Sequence, residues 1–573
     1  MSRQLVTSAL PYINGVKHLG NLVGSMLPAD VYSRFMRMTG EEVLFICATD
    51  EHGTPAELAA LAAGLPVAEY CAREHEVQKQ LGERWQLSFD HFGRSSSAQN
   101  AELTRHFARV LKENGYIEER STTQAYSLTD KRFLPDRYVT GTCPHCDYKA
   151  ARGDQCENCT RVLDPVDLVE PRSVISGSTD IEFRDSSHLF LLQSRLADDL
   201  RKWVMSKETW NSVARSIALK WLDEGLIDRG ITRDLEWGVK VPEEWPGFEN
   251  KVFYVWFDAP IEYIGATKEW ADQDPENRDW KSWWYDASDV EYSQFMGKDN
   301  VPFHTITFPA TLLASGEPWT KVDKLKGLNY LTYYGGKFST SQQHGVFMHD
   351  ALDILPADLW RYVLMANAPE TSDSDFSWDL LATAINKDLA GTLGNFVNRI
   401  LKLNHNNFGD VVPSGGQPGE AEEAIADELA NAVAEVTTHY KDQQFRKAMA
   451  ATRNAWSLGN IYLDRVAPWK TIKVDREQAA MQMRTAIGFI EMFAVLAAPV
   501  MPELAEKMAA TVGKGAAHGS PLQWPEQGSS ALKDALRSGI AEGTAIAVPD
   551  ILIPRVEDDQ LLAWKERFGA QAL

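Results

Sequence analysis

Two short segments, far apart in the chain, constrain its fold most because their chemistry makes sense only if they meet. The first, Ala9-Leu-Pro-Tyr-Ile-Asn-Gly-Val-Lys-His18-Leu-Gly20-Asn21, follows the apolar run Gln4-Leu-Val-Thr-Ser and precedes a helix-like stretch beginning at Asn21. This reads as a buried strand turning into a helix. Glycine at such a join lets a nucleotide approach the backbone, and His18 adds a donor near phosphates. The second, Gly336-Lys337-Phe-Ser339-Thr340-Ser341, puts a fixed positive charge on a small loop. Joined, the two suit stabilisation of a pentavalent phosphate, so the fold is expected to place them on one cleft.

The intervening pattern is consistent with that demand. Strand-like and helical runs alternate through Leu5 to Ser8, Asp30 to Thr39, Val43 to Thr49, Val67 to Leu87 and Asn100 to Asn114, the grammar of a parallel α/β sheet. It is expected to resume at Lys251-Val-Phe-Tyr-Val-Trp-Phe and to continue through His304-Thr-Ile-Thr-Phe. A turn-rich, cysteine-bearing insertion, 117–225, separates the halves. Beyond Asp353-Ile-Leu-Pro, apolar residues fall at helical spacing over Asp379 to Asn404, Glu420 to Tyr440, Gln443 to Asp464 and Arg476 to Ala498. The tail ends in a short amphipathic helix able to fold back on the body. The apolar stretch Thr485 to Met501 contains Gly488, Glu491 and Pro499 and is too short to span a bilayer, so a buried helix is predicted.

The most specific spacing is Cys143-x2-Cys146-x9-Cys156-x2-Cys159. Each Cys-x2-Cys turn presents two thiolates to one side, and two turns close a tetrahedron around one Zn²⁺. Four protein ligands leave no open position, so the expected role is structural. Cys47 and Cys71 read as small core residues.

Without a basic leader before an apolar segment at the N-terminus, a cytoplasmic chain is expected. Its 58 basic against 80 acidic side chains give a net charge of −22, which argues against bulk attraction to nucleic acid. Unstacked bases, however, are read by stacking and edge hydrogen bonds, which need no bulk charge.

In its two opening segments, in Phe45-Ile-Cys-Ala-Thr-Asp50-Glu-His52-Gly53-Thr54-Pro55, in Asp228-Arg-Gly-Ile-Thr-Arg233, in Tyr254-Val-Trp256-Phe-Asp-Ala259-Pro260-Ile-Glu-Tyr263 and in Phe295-Met-Gly297-Lys-Asp299-Asn-Val-Pro-Phe-His304, the chain resembles the class I aminoacyl-tRNA synthetases, and among them the methionyl-tRNA synthetase family. The resemblance runs from residue 4 to about 500 and leaves the tail weakly matched. It implies an α/β fold, with a Rossmann-type catalytic domain in two halves, 1–116 and 226–325, split by the connective insertion with its zinc knuckle, 117–225. The signature loop and a connecting segment, 326–355, follow, then an all-α anticodon-binding domain, 356–525, and a tail, 526–573.

The same resemblance implies the site residues. Methionine falls to Leu10, Tyr12, Asp50, Trp256, Ala259, Pro260, Tyr263 and His304, and ATP, with Mg²⁺, to His18, Gly20, Asn21, Gly297, Asp299, Lys337 and Thr340. His18, Asn21, Lys337 and Thr340 are the implied catalytic set, and Asp299 could pair with Arg233. Asn395, Arg399 and Trp469 are the implied readers of the methionine tRNA anticodon. Asn21 departs from the family's second histidine, and Thr340 from the second lysine of its mobile loop. The implied partners are methionine, ATP and methionine tRNA, with no membrane and a monomeric state. Two rivals stand beside this reading: a class I synthetase of another specificity, and a non-catalytic tRNA-binding paralogue, which the departures at Asn21 and Thr340 motivate.

Overall fold

The computed structural model describes residues 3–570 apart from 154, 155, 157, 160, 162, 340–343, 527 and 529. Five strands, β1 (Arg3–Ser8), β2 (Glu42–Thr49), β3 (His91–Arg94), β4 (Val290–Gly297) and β5 (Lys324–Leu328), form its central sheet. Their order is β5-β4-β1-β2-β3, and every pairing is parallel. Gln4 to Ser8 of β1 and Leu44 to Thr49 of β2 are buried without alternation, as strands covered on both faces must be. Val6, Phe45 and Phe295 pack into a cluster with Tyr32 and Phe35, whereas Leu5, Leu44 and Ile46 pack with Leu103, Phe107 and Ile264. From β1 the chain winds outward through β2 and β3, and later through β4 and β5 on the other side. The switch lies between β1 and β4, where open α/β sheets bind ligands beyond the carboxyl ends of their strands.

Two stretches within the expected strand–helix alternation are mainly helical. In the run from Lys251 only Val252–Phe253 is extended, paired antiparallel with Thr232–Arg233, and a helix begins at Val255. His304-Thr-Ile-Thr is helical: Pro302, its φ already at a helical value, leads into a wide π-type turn over Phe303–Thr307 that continues as the helix Phe308–Ser315. Apolar neighbours had signalled burial correctly but not the type of element.

The insertion is built on a long antiparallel ribbon, Ile117–Ser127 against Ile181–Leu191. A small sheet of Val139–Thr142, Ala151–Arg152 and Val169–Ser173 carries the cysteines, and its core, Leu134, Tyr138, Val139, Leu163 and Leu168, includes Cys143 and Cys156.

The helical region contains Asn395–Phe408, Glu420–Lys441, Phe445–Val466 and Arg476–Ala497. The last is long and apolar enough to cross a membrane, yet 83% of its apolar window is buried inside the protein. Helix Phe445–Val466 starts against the parallel sheet. The buried Glu370 carboxylate accepts from the N–H groups of Phe445 (3.1 Å) and Arg446 (2.8 Å) at that helix's N-terminus and from Lys326 Nζ of β5 (2.6 Å). Glu370 thus joins β5 to the helix by satisfying two otherwise orphaned N–H groups with a negative charge. The tail does fold back. Its helix Asp558–Phe568 packs Trp564 and Phe568 against Trp378 in tilted ring contacts, with ring centroids 5.6 and 5.2 Å away, and the Tyr333 hydroxyl donates to the Phe568 carbonyl.

Candidate active site

The two signature segments meet beyond the carboxyl end of β1. Leu19 N–H donates to the Val346 carbonyl, Met348 N–H donates to the Lys17 carbonyl, and the His18 ring stacks on Phe338 at 5.0 Å. A cleft of about 350 Å³ lies between them, and its lining includes Leu10, Tyr12, His18, Gly20, Asn21, Gly297, Asp299 and Lys337. Thr340 falls outside the described residues.

His18 and Asn21 cap each other. Asn21 N–H donates to His18 Nδ1 (3.2 Å), and His18 N–H donates to Asn21 Oδ1 (3.1 Å). Nδ1 is therefore an acceptor, which leaves the proton of the neutral ring on Nε2. Burial, helped by the charge of Lys17, pushes the His18 pKa down to about 4, so the ring is neutral at physiological pH. Asn21, at the family's second histidine position, works here as a cap.

Asp299 hangs at the end of β4 with its pKa raised by burial. Arg233 donates to the Gly230 and Thr232 carbonyls and lies over the Tyr254 ring at 3.7 Å. Among the described residues, no Arg233–Asp299 ion pair within 4.0 Å is seen. Nearby, a second cavity of about 370 Å³ is lined by Tyr12, Asp299, Arg233, Tyr254, Trp256 and Phe303 among others. Trp256 stacks on Phe303 at 3.6 Å and 11°, and meets Tyr12 edge-on at 6.1 Å. Ala259, Pro260 and Tyr263 are buried on the adjoining turn and helix, and Leu10 is half-buried.

The Tyr263 hydroxyl and His304 Nε2 lie 2.8 Å apart, while His304 Nδ1 lies 2.9 Å from the Asn300 carbonyl. A carbonyl can only accept, so Nδ1 carries the proton and Nε2 accepts from Tyr263. Burial brings the His304 pKa down to about 4, consistent with that neutral ring.

Asp50 follows β2, bridged to Tyr12, and is 4% exposed with Oδ1 buried and unpartnered. Burial first, then repulsion from Asp258, raises its pKa well above the carboxylate range. A buried carboxyl oxygen left without a partner can receive a small cation.

Sequence reasoning missed Phe303 and Phe338. Each adjoins a residue it did select, His304 and Lys337, but only tertiary packing brings their rings onto Trp256 and His18.

In the insertion, the four cysteine sulfurs lie within 4.8 Å of one another. Cys143 and Cys159 are 3.8 Å apart and Cys146 and Cys156 are 3.6 Å apart, too far for disulfides. These separations match the edge of about 3.8 Å of a tetrahedron with Zn–S of about 2.3 Å. His145 N–H and Cys159 N–H donate to the sulfurs of Cys143 and Cys156, as thiolates invite. The donor set fits a metal ion.

In the helical region, Asn395 and Arg399 lie one turn apart on helix Asn395–Phe408, Asn395 exposed and Arg399 partly so. The Arg399 guanidinium lies 5.3 Å from the centre of the half-buried Trp469 ring. Ala467, at φ 43°, breaks the preceding helix so that Pro468 and Trp469 turn onto this face.

A Rossmann-type parallel sheet whose switch point gathers these two segments, split by a cysteine-knuckle insertion and followed by a helical domain, is the build of a class I aminoacyl-tRNA synthetase. The family model described as tRNA synthetases class I (M) matches residues 4–401, and the one described as the anticodon binding domain of methionyl tRNA ligase matches residues 412–572. The second match takes in the tail, which had looked weakly related from motifs alone. Methionine–tRNA ligases of Streptomyces avermitilis and Caulobacter vibrioides are 58% and 56% identical to this chain, each over 99% of it and over 99% and 100% of their own lengths. Among solved structures, Mycobacterium tuberculosis methionyl-tRNA synthetase bound by methionyl-adenylate superposes with a TM-score of 0.75 at 25% identity, covering 97% of this chain and 100% of that one. The chain belongs to the methionine–tRNA ligase family, which sets the other class I specificities aside.

Proposed function

We propose that this chain carries out the methionine–tRNA ligase reaction in the paired cavities beyond β1 and β4. The methionine carboxylate attacks the α-phosphorus of ATP, pyrophosphate leaves, and the methionyl group passes from the adenylate to the 3′ adenosine of methionine tRNA. The observation that carries this reading is the buried, unpartnered carboxyl oxygen of Asp50, a residue bridged to Tyr12, whose ring meets Trp256, next to a cleft where His18 meets the Lys337 segment.

Asp50 holds the substrate ammonium, and Tyr12, Trp256 and Tyr263, with Leu10, Ala259 and Pro260, enclose the side chain. Polarisable sulfur against aromatic rings favours a thioether here. His304, as acceptor, fixes the direction of the Tyr263 hydroxyl. On the ATP side, Gly20 and Gly297 let the nucleotide sit on backbone, Asp299 takes ribose hydroxyls, and His18, Asn21, Lys337 and Thr340 serve the phosphates, His18 through a neutral Nε2–H donor. Mg²⁺ arrives on the phosphates of ATP. Positioning and electrostatic stabilisation carry the chemistry, and no general base is assigned.

ATP–pyrophosphate exchange measured across the amino acids tests the assignment. Methionine should drive it best and leucine weakly, since neighbouring apolar side chains differ by about 1–3 kcal/mol in such a pocket. Fastest exchange with any other amino acid would sink it.

Cys143, Cys146, Cys156 and Cys159 hold one structural Zn²⁺ in this reading, which organises the small core of the knuckle. Cys156→Ser is expected to release the metal and loosen residues 139–173 to hydrogen exchange while the parallel sheet keeps its protection. An insertion that stays fully protected without metal would count against this role.

Asn395, Arg399 and Trp469 form the anticodon-reading patch, a cation and an aromatic face suited to unstacked bases. Trp469→Ala should slow tRNA charging roughly ten- to hundredfold, the worth of one base stack, with tRNA-independent exchange nearly intact. Normal charging by a folded variant would return Trp469 to helix packing. The reading is completed by a cytoplasmic monomer that keeps its most apolar helix inside the protein.

A further inference from the structure

Between helix Val67–Arg84 and β3 lies a cavity of about 260 Å³ that shares Pro11, Lys17 and Met26 with the nucleotide cleft. Leu81, Leu87, Phe89, Phe92 and Met348 make much of its wall apolar. Two buried polar groups in that wall are poorly matched. Lys17 is 8% exposed, no carboxylate oxygen among the described residues lies within 4.0 Å of its ammonium, and its hydrogen bond to the Asn14 carbonyl is long, at 3.3 Å. Gln78 is 7% exposed. Its Nε2 donates to the Tyr12 carbonyl at 3.0 Å, which leaves Oε1 buried with no donor.

The other charges around the cavity are accounted for. Asp90 is engaged by Arg37 and the Phe45 N–H, His91 faces Glu269, and Lys79 and Glu83 are exposed at the rim. Burial lowers the Lys17 pKa to about 8, opposed by the charges of Asp50 and Glu74. A buried ammonium without a counter-ion and a buried acceptor without a donor are each costly, and one ligand can relieve both.

We propose that this cavity is a second small-molecule site, for a carboxylate that carries an apolar side chain and one neutral hydrogen-bond donor, the chemistry of an apolar α-hydroxy acid. The carboxylate pairs with Lys17, the hydroxyl donates to Gln78 Oε1, and the side chain covers Leu81, Leu87 and Phe89. An α-amino acid fits worse, because its ammonium would face Lys17 and Lys79. Lys17 and the Tyr12 carbonyl belong to the signature loop, so occupancy re-tensions that loop and is felt first in ATP binding.

The test is calorimetric titration of the full chain with 3-phenyllactate, in saturating methionine and a non-hydrolysable ATP analogue so that the catalytic cavities are filled. One saturable site is expected, weakened roughly tenfold or more by Lys17→Met, the worth of a charge-assisted contact, and several-fold by Gln78→Leu. Lys17→Arg, which keeps the charge, should retain binding even if Lys17→Met proves unstable. In exchange assays, 3-phenyllactate should shift the KM for ATP and leave that for methionine. The proposal is overturned by an absence of saturable binding up to about 10 mM, by competitive displacement as methionine is raised, or by equal affinity in folded Lys17→Met and Gln78→Leu proteins.

Discussion

Replacing Lys337 with alanine is expected to slow methionine-dependent ATP–pyrophosphate exchange by roughly two orders of magnitude, with little change in the KM for methionine. Lys337 is exposed on the short strand Gly336–Lys337, across the cleft from His18. Because His18 is neutral, it offers a hydrogen bond but no charge to the departing pyrophosphate. Lys17 shares the lining, but its ammonium is buried and burial lowers its pKa to about 8. The developing negative charge therefore depends on Lys337, and an interaction that grows toward the transition state appears in the rate more than in ground-state affinity. Steady-state exchange with ATP and methionine varied separately separates the two. An unaltered maximal rate would remove this loop from the chemistry.

Asp50→Asn should raise the KM for methionine roughly ten- to hundredfold, because an amide keeps the shape but loses the charge that meets the substrate ammonium. The pH dependence gives an independent check. Burial and the neighbouring Asp258 raise the Asp50 pKa in the free protein, so the carboxyl takes up a proton at a pH where ordinary carboxylates are ionised. The protonated form cannot hold an ammonium. Hence kcat/KM for methionine should fall as pH drops through that raised pKa and recover above it, and Asp50→Asn should flatten this acid limb. An acid limb that survives in the variant would assign it to another group.

Sequence alone conveyed much of this fold because its strongest signals are local. β2 carries an unbroken apolar run, Val43 to Ala48, the helices beside it are amphipathic, and the knuckle announces itself by spacing. β4 was harder: Glu291, Ser293 and Gln294 make this strand look polar, and their acceptability depends in part on non-local partners such as Gln443, whose side-chain amide donates to the Ser293 hydroxyl. The run around Trp256 misled in the opposite way, since burial there is shared by a two-residue strand and a helix. Within the site, Gly20 and His18 were legible from their setting, whereas Asp50, Trp256, Tyr263 and His304 could be grouped only by resemblance. No periodicity brings Asp50 to Tyr12, or Trp256 to a ring 47 residues on, and the mutual capping of His18 and Asn21 is visible only in three dimensions.

The helix that Glu370 anchors to the catalytic sheet is also a measuring rod. Its 22 residues span about 33 Å, from the carboxylate at its start to the Ala467 break that sets Trp469. Each residue inserted into it would push the tryptophan out by about 1.5 Å and swing it by about 100°. Length and angle are thus locked together, and no small insertion can lengthen the rod without turning the tryptophan off its face. Only near-whole turns preserve the heading, so drift in the length of this segment is confined to coarse steps, and the reach from the sheet to the tryptophan is fixed much as a gear fixes a ratio, by counting teeth.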